Sequence, residues 1–253
     1  MSGEPSPLLL TRDISVHYGG VRANDEVSIE VGAAEIVGLI GPNGAGKTTF
    51  VDAVTGFAPH TGTIELDGVR LDSVPAHRRR RLGLARTWQS GELFTDLTVA
   101  ENLAVSVDPP GLRGLVADLG KRRKRAGEDI QEALSLVGLE AMAGRRPDEL
   151  SLGRQKLAGV ARALVGSTRV LLLDEPAAGL DTEESAEFGR ELRRIAASGP
   201  GVLLIDHDMT LVLDVCDRVY VMDFGKIIAS GAPSDVSSDA QVIAAYLGSP
   251  VTP

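Results

Sequence analysis

Nine consecutive residues of this chain, Gly41-Pro42-Asn43-Gly44-Ala45-Gly46-Lys47-Thr48-Thr49, restrict its fold more than any other run in the 253-residue sequence. Gly41, Gly46, Lys47 and Thr48 stand at the spacing G-x-x-x-x-G-K-[ST]. Glycines let successive backbone N–H groups turn inward onto phosphate oxygens. A helix opening at the end of such a run adds its positive pole. Lys47 supplies a point charge for the outer phosphates, and the Thr48 hydroxyl suits a magnesium ion. The apolar run Glu35-Ile36-Val37-Gly38-Leu39-Ile40 leads into the loop, and residues 48–55 read as a helix stopped by Gly56. Strand, glycine loop and helix in that order imply an α/β core built around a nucleoside triphosphate.

A second run, Val170-Leu171-Leu172-Leu173-Asp174-Glu175-Pro176, reads as a buried strand that ends in two acids. In open α/β sheets that edge is where ligands bind. Asp174 suits a magnesium-bound water, and Glu175 suits orienting or deprotonating an attacking water. Alone, the two acids would read as a solvated strand end; the phosphate loop upstream decides for chemistry.

Charge argues against one broad class, though a local basic patch stays open. The formal net charge is −9 and the pI about 5.0, whereas general nucleic-acid binding wants a basic surface. The single cysteine, Cys216, cannot form a disulfide within the chain, which suits a reducing compartment. The first seven residues carry an acid and two prolines and do not resemble a secretory signal. No apolar run approaches the ~20 residues needed to span a bilayer. The chain is therefore expected to be soluble by itself and to meet a membrane only through a partner.

Residues 8–40 read as strands, with Val16-His17-Tyr18 and Val27-Ser28-Ile29-Glu30-Val31 as short β-rich runs. Residues 61–68 predict a hairpin turning at Asp67-Gly68. From about residue 86 to 165 the pattern is helical: Ile130, Ala133, Leu134, Val137 and Leu139 recur at helical spacing, and Gly138 closes that helix. Residues 109–127 are expected to hold a loop and the start of a basic helix. Residues 170–205 return to β–α–β order, and their continuous apolar strands fit a parallel sheet covered on both faces. Tyr220-Val221-Met222 and Lys226-Ile227-Ile228 predict a late hairpin around Asp223-Phe224-Gly225. The expected architecture is one domain over residues 1–253. It comprises a P-loop NTPase core over about 8–85 and 166–248, with an N-terminal antiparallel β region, and a helical subdomain over about 86–165.

Further marks stand in a fixed order around these two runs. Tyr18 precedes the loop and Gln89 follows it. Leu150-Ser151-Leu152-Gly153-Arg154-Gln155-Lys156 lies shortly before the acidic strand, Ala177-Ala178-Gly179-Leu180-Asp181 follows it, and His207 follows the next strand. In this order they resemble the ATP-binding cassette (ABC) ATPases, from about residue 8 to 248. Residues 150–154 look like the L-S-G-G-Q signature, Tyr18 like the aromatic residue that stacks on adenine, and Gln89 like the Q-loop glutamine. Residues 177–181 look like the D-loop, and His207 like the switch histidine. The resemblance implies ATP and Mg2+ as ligands. It places Thr48, Gln89 and Asp174 at the metal, and Glu175, His207 and Gln89 in catalysis. It also implies that two cassettes close head to tail on two nucleotides, with Ser151 and Gly153 of one facing the γ-phosphate held by the other and Asp181 nearby; hydrolysis then removes the charge that holds them. Leu152 and Arg154 depart from the signature, which puts the strength of that contact in question; an arginine beside a triphosphate is electrostatically sound, and Gly153 remains.

The run Arg86-Thr87-Trp88-Gln89, then Leu93-Phe94, then Leu97-Thr98-Val99-Ala100-Glu101-Asn102-Leu103 narrows the resemblance. It looks like the Q-loop region of bacterial branched-chain amino-acid (Liv-type) importer ATPases, and Gly225-Lys226-Ile227-Ile228 through Ala245-Tyr246-Leu247-Gly248 agrees. That likeness implies integral-membrane permease partners, a second ATPase subunit, an indirect link to a solute-binding protein, and a place on the cytoplasmic face of the membrane. Relatives of this kind also serve lipopolysaccharide export. An ABC ATPase acting on nucleic acid is the competing class, but the interval between Lys47 and Ser151 holds no long heptad run and the chain carries one cassette. A small-molecule kinase would leave residues 150–155, 177–181 and 207 unexplained. The basic runs 78–81 and 121–125 read as solvated helix faces, with a permease or anionic headgroups as the alternative. Lys47→Ala is expected to weaken ATP binding itself, read as lost affinity in a nucleotide titration; unchanged affinity contradicts the cradle.

Overall fold

The computed structural model describes residues 6–87, 93–107, 119–206 and 208–247, without the side chains of residues 119–123 and Leu247. The chain first builds strands β1 (Leu9–Tyr18), β2 (Val21–Val27) and β3 (Glu30–Val31), then β4 (Ile36–Ile40) and helix α1 (Lys47–Thr55). A hairpin of β5 (Thr61–Leu66) and β6 (Val69–Arg70) follows, turning at Asp67-Gly68 with both residues at positive φ. Next come α2 (Ala76–Arg81), β7 (Leu84–Arg86), α3 (Val99–Ala104), α4 (Leu119–Leu136) and α5 (Leu152–Leu164). The remainder is β8 (Val170–Asp174), α6 (Thr182–Ala197), β9 (Gly201–Ile205), α7 (Met209–Val215), β10 (Arg218–Asp223), β11 (Lys226–Gly231), α8 (Pro233–Ser238) and α9 (Ala240–Leu247). No described helix is long and apolar enough to cross a membrane.

These strands form two sheets. The first runs β2-β1-β5-β6, antiparallel, with β3 also paired to β1. The second runs β11-β10-β4-β9-β8-β7, parallel except for the edge strand β11. Alternate residues of a strand face opposite sides, and here both sides are apolar. Val37, Leu39, Leu172, Leu203 and Ile205 face α1 and the antiparallel sheet, among Phe50, Val51, Ile14 and Ile64. Ile36, Ile40, Leu171, Leu173 and Leu204 face the other way, among Leu157, Phe188, Leu192 and Val212 of α5, α6 and α7. Two buried faces explain why β4, β8 and β9 read as unbroken apolar runs rather than alternating ones.

Two local expectations change. Residues 16–18 are the end of a ten-residue strand, β1, whose pairing shifts register past Asp13 at φ 54°. Residues 27–31 are not one strand: β2 ends at Val27, and β3 begins at Glu30 on a different pairing with β1. The C-terminal hairpin turns at Phe224 and Gly225, both at positive φ.

The basic run 78–81 is not merely a solvated helix face. Arg79 is 2% exposed, and its guanidinium donates to the carbonyls of Val74, Ala53 and Val54, the last two at the end of α1. Arg80 donates to the carbonyls of Ala163 and Val165 at the end of α5. A helix C-terminus carries unpaired carbonyls and partial negative charge, so adjacent arginines of α2 clamp the ends of two helices at once. Of the second run, 121–125, the described side chains are Lys124 and Arg125, both exposed. Cys216 is buried, and burial pushes its thiol up to about 12, so it is inert. We expect Arg79→Ala to lower the unfolding free energy by about 2–4 kcal/mol in urea denaturation, because it strands buried carbonyls and leaves a cavity. The exposed neighbour change Arg78→Ala should stay within about 0.5 kcal/mol.

Candidate active site

Parallel register brings three strand ends level. Leu39 pairs with Ile205, and Ile205 with Asp174. Just beyond that level the chain leaves the sheet at Gly41, Asp206 and Glu175, on the carboxyl edge where α/β sheets hold ligands.

The loop after β4 needs glycine for its geometry. Gly41, Gly44 and Gly46 have φ of 152°, 82° and 106°. A Cβ on Gly41 would fall 2.0 Å from the Met222 carbonyl oxygen, and one on Gly46 2.4 Å from that of Ala23. Between them the Ala45 amide donates to the Pro42 carbonyl, and Ala45 accepts from the Gly225 amide. Gly46 precedes the first residue of α1, and no described side chain caps that helix, which makes its start a ready anion site. Asn43, Gly44 and Thr48 are exposed there, while Pro42, Gly46 and Thr49 are half-buried.

Lys47 is buried, and its Nζ donates to the carbonyls of Gly41 at 2.7 Å and Pro42 at 3.1 Å. Burial pushes its ammonium below the usual lysine range; the charges of Glu175, Asp174 and Asp206 oppose that shift. Asp174, at the end of β8, is 3% exposed, and burial pushes its carboxyl up while the Arg86 hydrogen bond holds it down. Glu175 sits at φ 48°, a left-handed conformation that costs a non-glycine residue about 1–3 kcal/mol and recurs at functional sites. Its amide donates to the Ile205 carbonyl at 2.7 Å.

Ser151, Gly153 and Asp181 form a second group. Ser151 caps α5, with its hydroxyl 3.5 Å from the Arg154 amide. The Gly153 amide donates to Glu184 Oε1 at 3.3 Å, and Asp181 caps α6 by accepting from the Glu184 amide at 2.8 Å. Glu184 thus ties the turn at 151–153 to the run at 177–181. Leu152 is 41% exposed, and a Cβ on Gly179 would lie 3.4 Å from it. Tyr18 ends β1 and is 52% exposed. Gln89 and His207 lie outside the described residues.

Three participants were not legible from motifs. Asp206 accepts from the Asp208 amide at 3.0 Å and the Ala177 amide at 3.3 Å, joining the ends of β8 and β9; its only signal was the run Asp206-His207-Asp208. Arg86 bonds both Asp174 and Asp52 of α1. Tyr246 of α9 is hydrogen-bonded to the backbone of Gly41, and burial pushes its phenol up. No group of three or more His, Cys, Asp or Glu among the described residues forms a metal cage. Magnesium rarely needs one, because it takes one or two carboxylates plus phosphates and waters. Thr48 and Asp174 could hold it in that manner.

A glycine loop with a buried lysine, beside a strand end bearing a buried aspartate and a strained glutamate, defines a P-loop ATPase. Residues 24–178 match the ABC transporter family, and residues 226–252 match a family described as branched-chain amino acid ATP-binding cassette transporter. The branched-chain amino acid transport ATP-binding protein LivG of Salmonella typhimurium is 39% identical over 250 residues, 96% of this chain and 98% of its own length. The lipopolysaccharide export ATP-binding protein LptB of Haemophilus influenzae is 35% identical, over 95% of this chain and 97% of its own length. A nucleotide-free ATP-binding cassette from an ABC transporter superposes with a TM-score of 0.83 at 29% identity, covering 96% of this chain and 99% of that one. The chain belongs to the ABC transporter family, as one of its ATP-binding subunits. It binds ATP and hydrolyses it to drive transport. Glu175→Gln is expected to lower turnover by about 10²–10⁴-fold, the range for a lost general base, while ATP still binds in a nucleotide titration. An undiminished rate removes Glu175 from that role.

Proposed function

We propose that this chain powers import of branched-chain amino acids or similar polar solutes through partner permeases. The match of residues 226–252 to the branched-chain cassette family carries this reading. It also favours import over the lipopolysaccharide export named for LptB. In the working complex the chain sits at the cytoplasmic face of the membrane, held there by integral-membrane permeases. It pairs with a second cassette, identical or related, and works indirectly with a solute-binding protein.

The family resemblance supplies the roles of the site residues. Residues 41–49 wrap the phosphates, Lys47 leaving its two carbonyls for phosphate oxygens. Tyr18 stacks on the base. Ser151, Gly153 and Asp181 meet the nucleotide of the opposite cassette, and Glu175 orients the attacking water with Gln89 and His207. Asp174, Glu175 and Asp206 outnumber Lys47 at this edge, so a triphosphate brought there needs a divalent cation. Thr48, Asp174 and Gln89 are the residues suited to hold magnesium. When bound, that ion neutralises charge on the β- and γ-phosphates.

The permease seat is a groove of about 790 Å³ beside this edge, lined by Phe57, Phe94, Val105, Arg80, Arg86 and Thr87 among others. Phe94 and Val105 are 52% and 57% exposed. Buried Asn102 fixes this rim: its amide donates to the carbonyls of Phe94, Leu97 and Thr98 and accepts from the Phe94 amide. Exposed apolar side chains held on a rigid frame suit a docked helix. Co-expression with neighbouring permease genes, followed by amino-acid uptake into vesicles, tests the reading; a complex that moves no such solute contradicts it. Phe94→Asp and Val105→Asp should each weaken permease association in pull-down by about tenfold or more, with the ATPase rate of the isolated subunit retained.

A further inference from the structure

β7 is the edge strand opposite β11 in the second sheet, and its last residue lies opposite Leu172 of β8. Side chains two apart share a face, so Arg86, Leu172 and Asp174 all point toward α1. Leu172 fills the core there. The Arg86 side chain, 7% exposed, reaches past it. Its Nη2 lies 3.0 Å from Asp174 Oδ2, its Nη1 meets Asp52 Oδ1, and the same Nη1 lies 3.4 Å from Thr55 Oγ1. Asp52 and Thr55 belong to α1, the helix that opens at Lys47. A planar guanidinium can hold two carboxylates in fixed directions; a lysine ammonium cannot.

We propose that Arg86 is a positioning residue for the magnesium site: it fixes the Asp174 carboxylate through Oδ2, leaves Oδ1 as the oxygen that would take the metal, and ties that carboxylate to the phosphate-loop helix through Asp52. The inference rests on the reading of Asp174 as a magnesium-holding residue. Two physical facts support it. A carboxylate as deeply buried as Asp174 needs a hydrogen-bonded cation to remain charged. Groups that orient a metal ligand tune metal affinity by themselves. The link also explains why an arginine is placed at the end of an edge strand, where an apolar residue would satisfy the packing.

The test uses the full chain carrying Arg86→Gln, Arg86→Lys or Asp174→Asn. Each is titrated with a fluorescent non-hydrolysable ATP analogue, first in EDTA and then against rising magnesium. Affinity in EDTA should stay within about twofold of the parent for both Arg86 variants, since the phosphate loop is intact. The magnesium concentration giving half-maximal tightening should rise about 10–100-fold in Arg86→Gln, the range for a lost outer partner of a metal ligand. Arg86→Lys should show a rise of the same sign, and if Arg86→Gln does not fold, Arg86→Lys answers alone. A half-maximal concentration raised by Asp174→Asn but unmoved by either Arg86 change overturns the inference and leaves Asp174 in place. One unmoved by Asp174→Asn as well removes the ligand reading and the inference with it. Affinity lost equally in EDTA and in magnesium marks Arg86 as a structural residue only, which also overturns the proposal.

Discussion

One buried ammonium group organises this molecule. Lys47 sits where a charge should be expelled, and it stays because Gly41 and Pro42 offer their carbonyls and three carboxylates supply the field. Every one of those partners depends on the parallel sheet. The pairing of β4 with β9 and of β9 with β8 sets Asp174, Glu175 and Asp206 at the level of the loop. A register slip of one residue would turn Asp174 to the opposite face and leave Lys47 facing Leu173 instead.

The same edge is braced from behind. Arg79 and Arg80 lie next to each other on α2, yet their guanidiniums cap different helices, α1 and α5. These are the helices whose opposite ends open at the phosphate loop and at Ser151. Both helices are thus fixed through their far ends by cations of one short helix, which also borders the apolar groove. Arg86 borders both that groove and Asp174.

Much of this was legible in the sequence, and the boundary is physical. Residues 41–49, 150–154 and 170–176 betray themselves because phosphate contact and strand burial demand particular residue types at fixed spacing. Gly56 and Asp67-Gly68 were readable for the same reason: positive φ selects glycine and aspartate. Arg86 was visible only as part of a local run, because its meaning depends on which strand lies beside β7. The arginines at 79 and 80 looked like solvent-facing charge, since helix C-termini advertise no motif for the cation that will cap them. The break between β2 and β3 escaped notice because both segments are β-rich and only pairing separates them. Gln89 and His207 keep their places in the motif order but lie outside the described residues.

The most direct test is a crystal structure with a non-hydrolysable ATP analogue and magnesium. The account predicts that Lys47 Nζ leaves the Gly41 and Pro42 carbonyls and lies on oxygens of the outer phosphates, with the loop backbone otherwise unmoved. A nucleotide bound while Lys47 keeps both carbonyls, its phosphates away from residues 41–49, would contradict it.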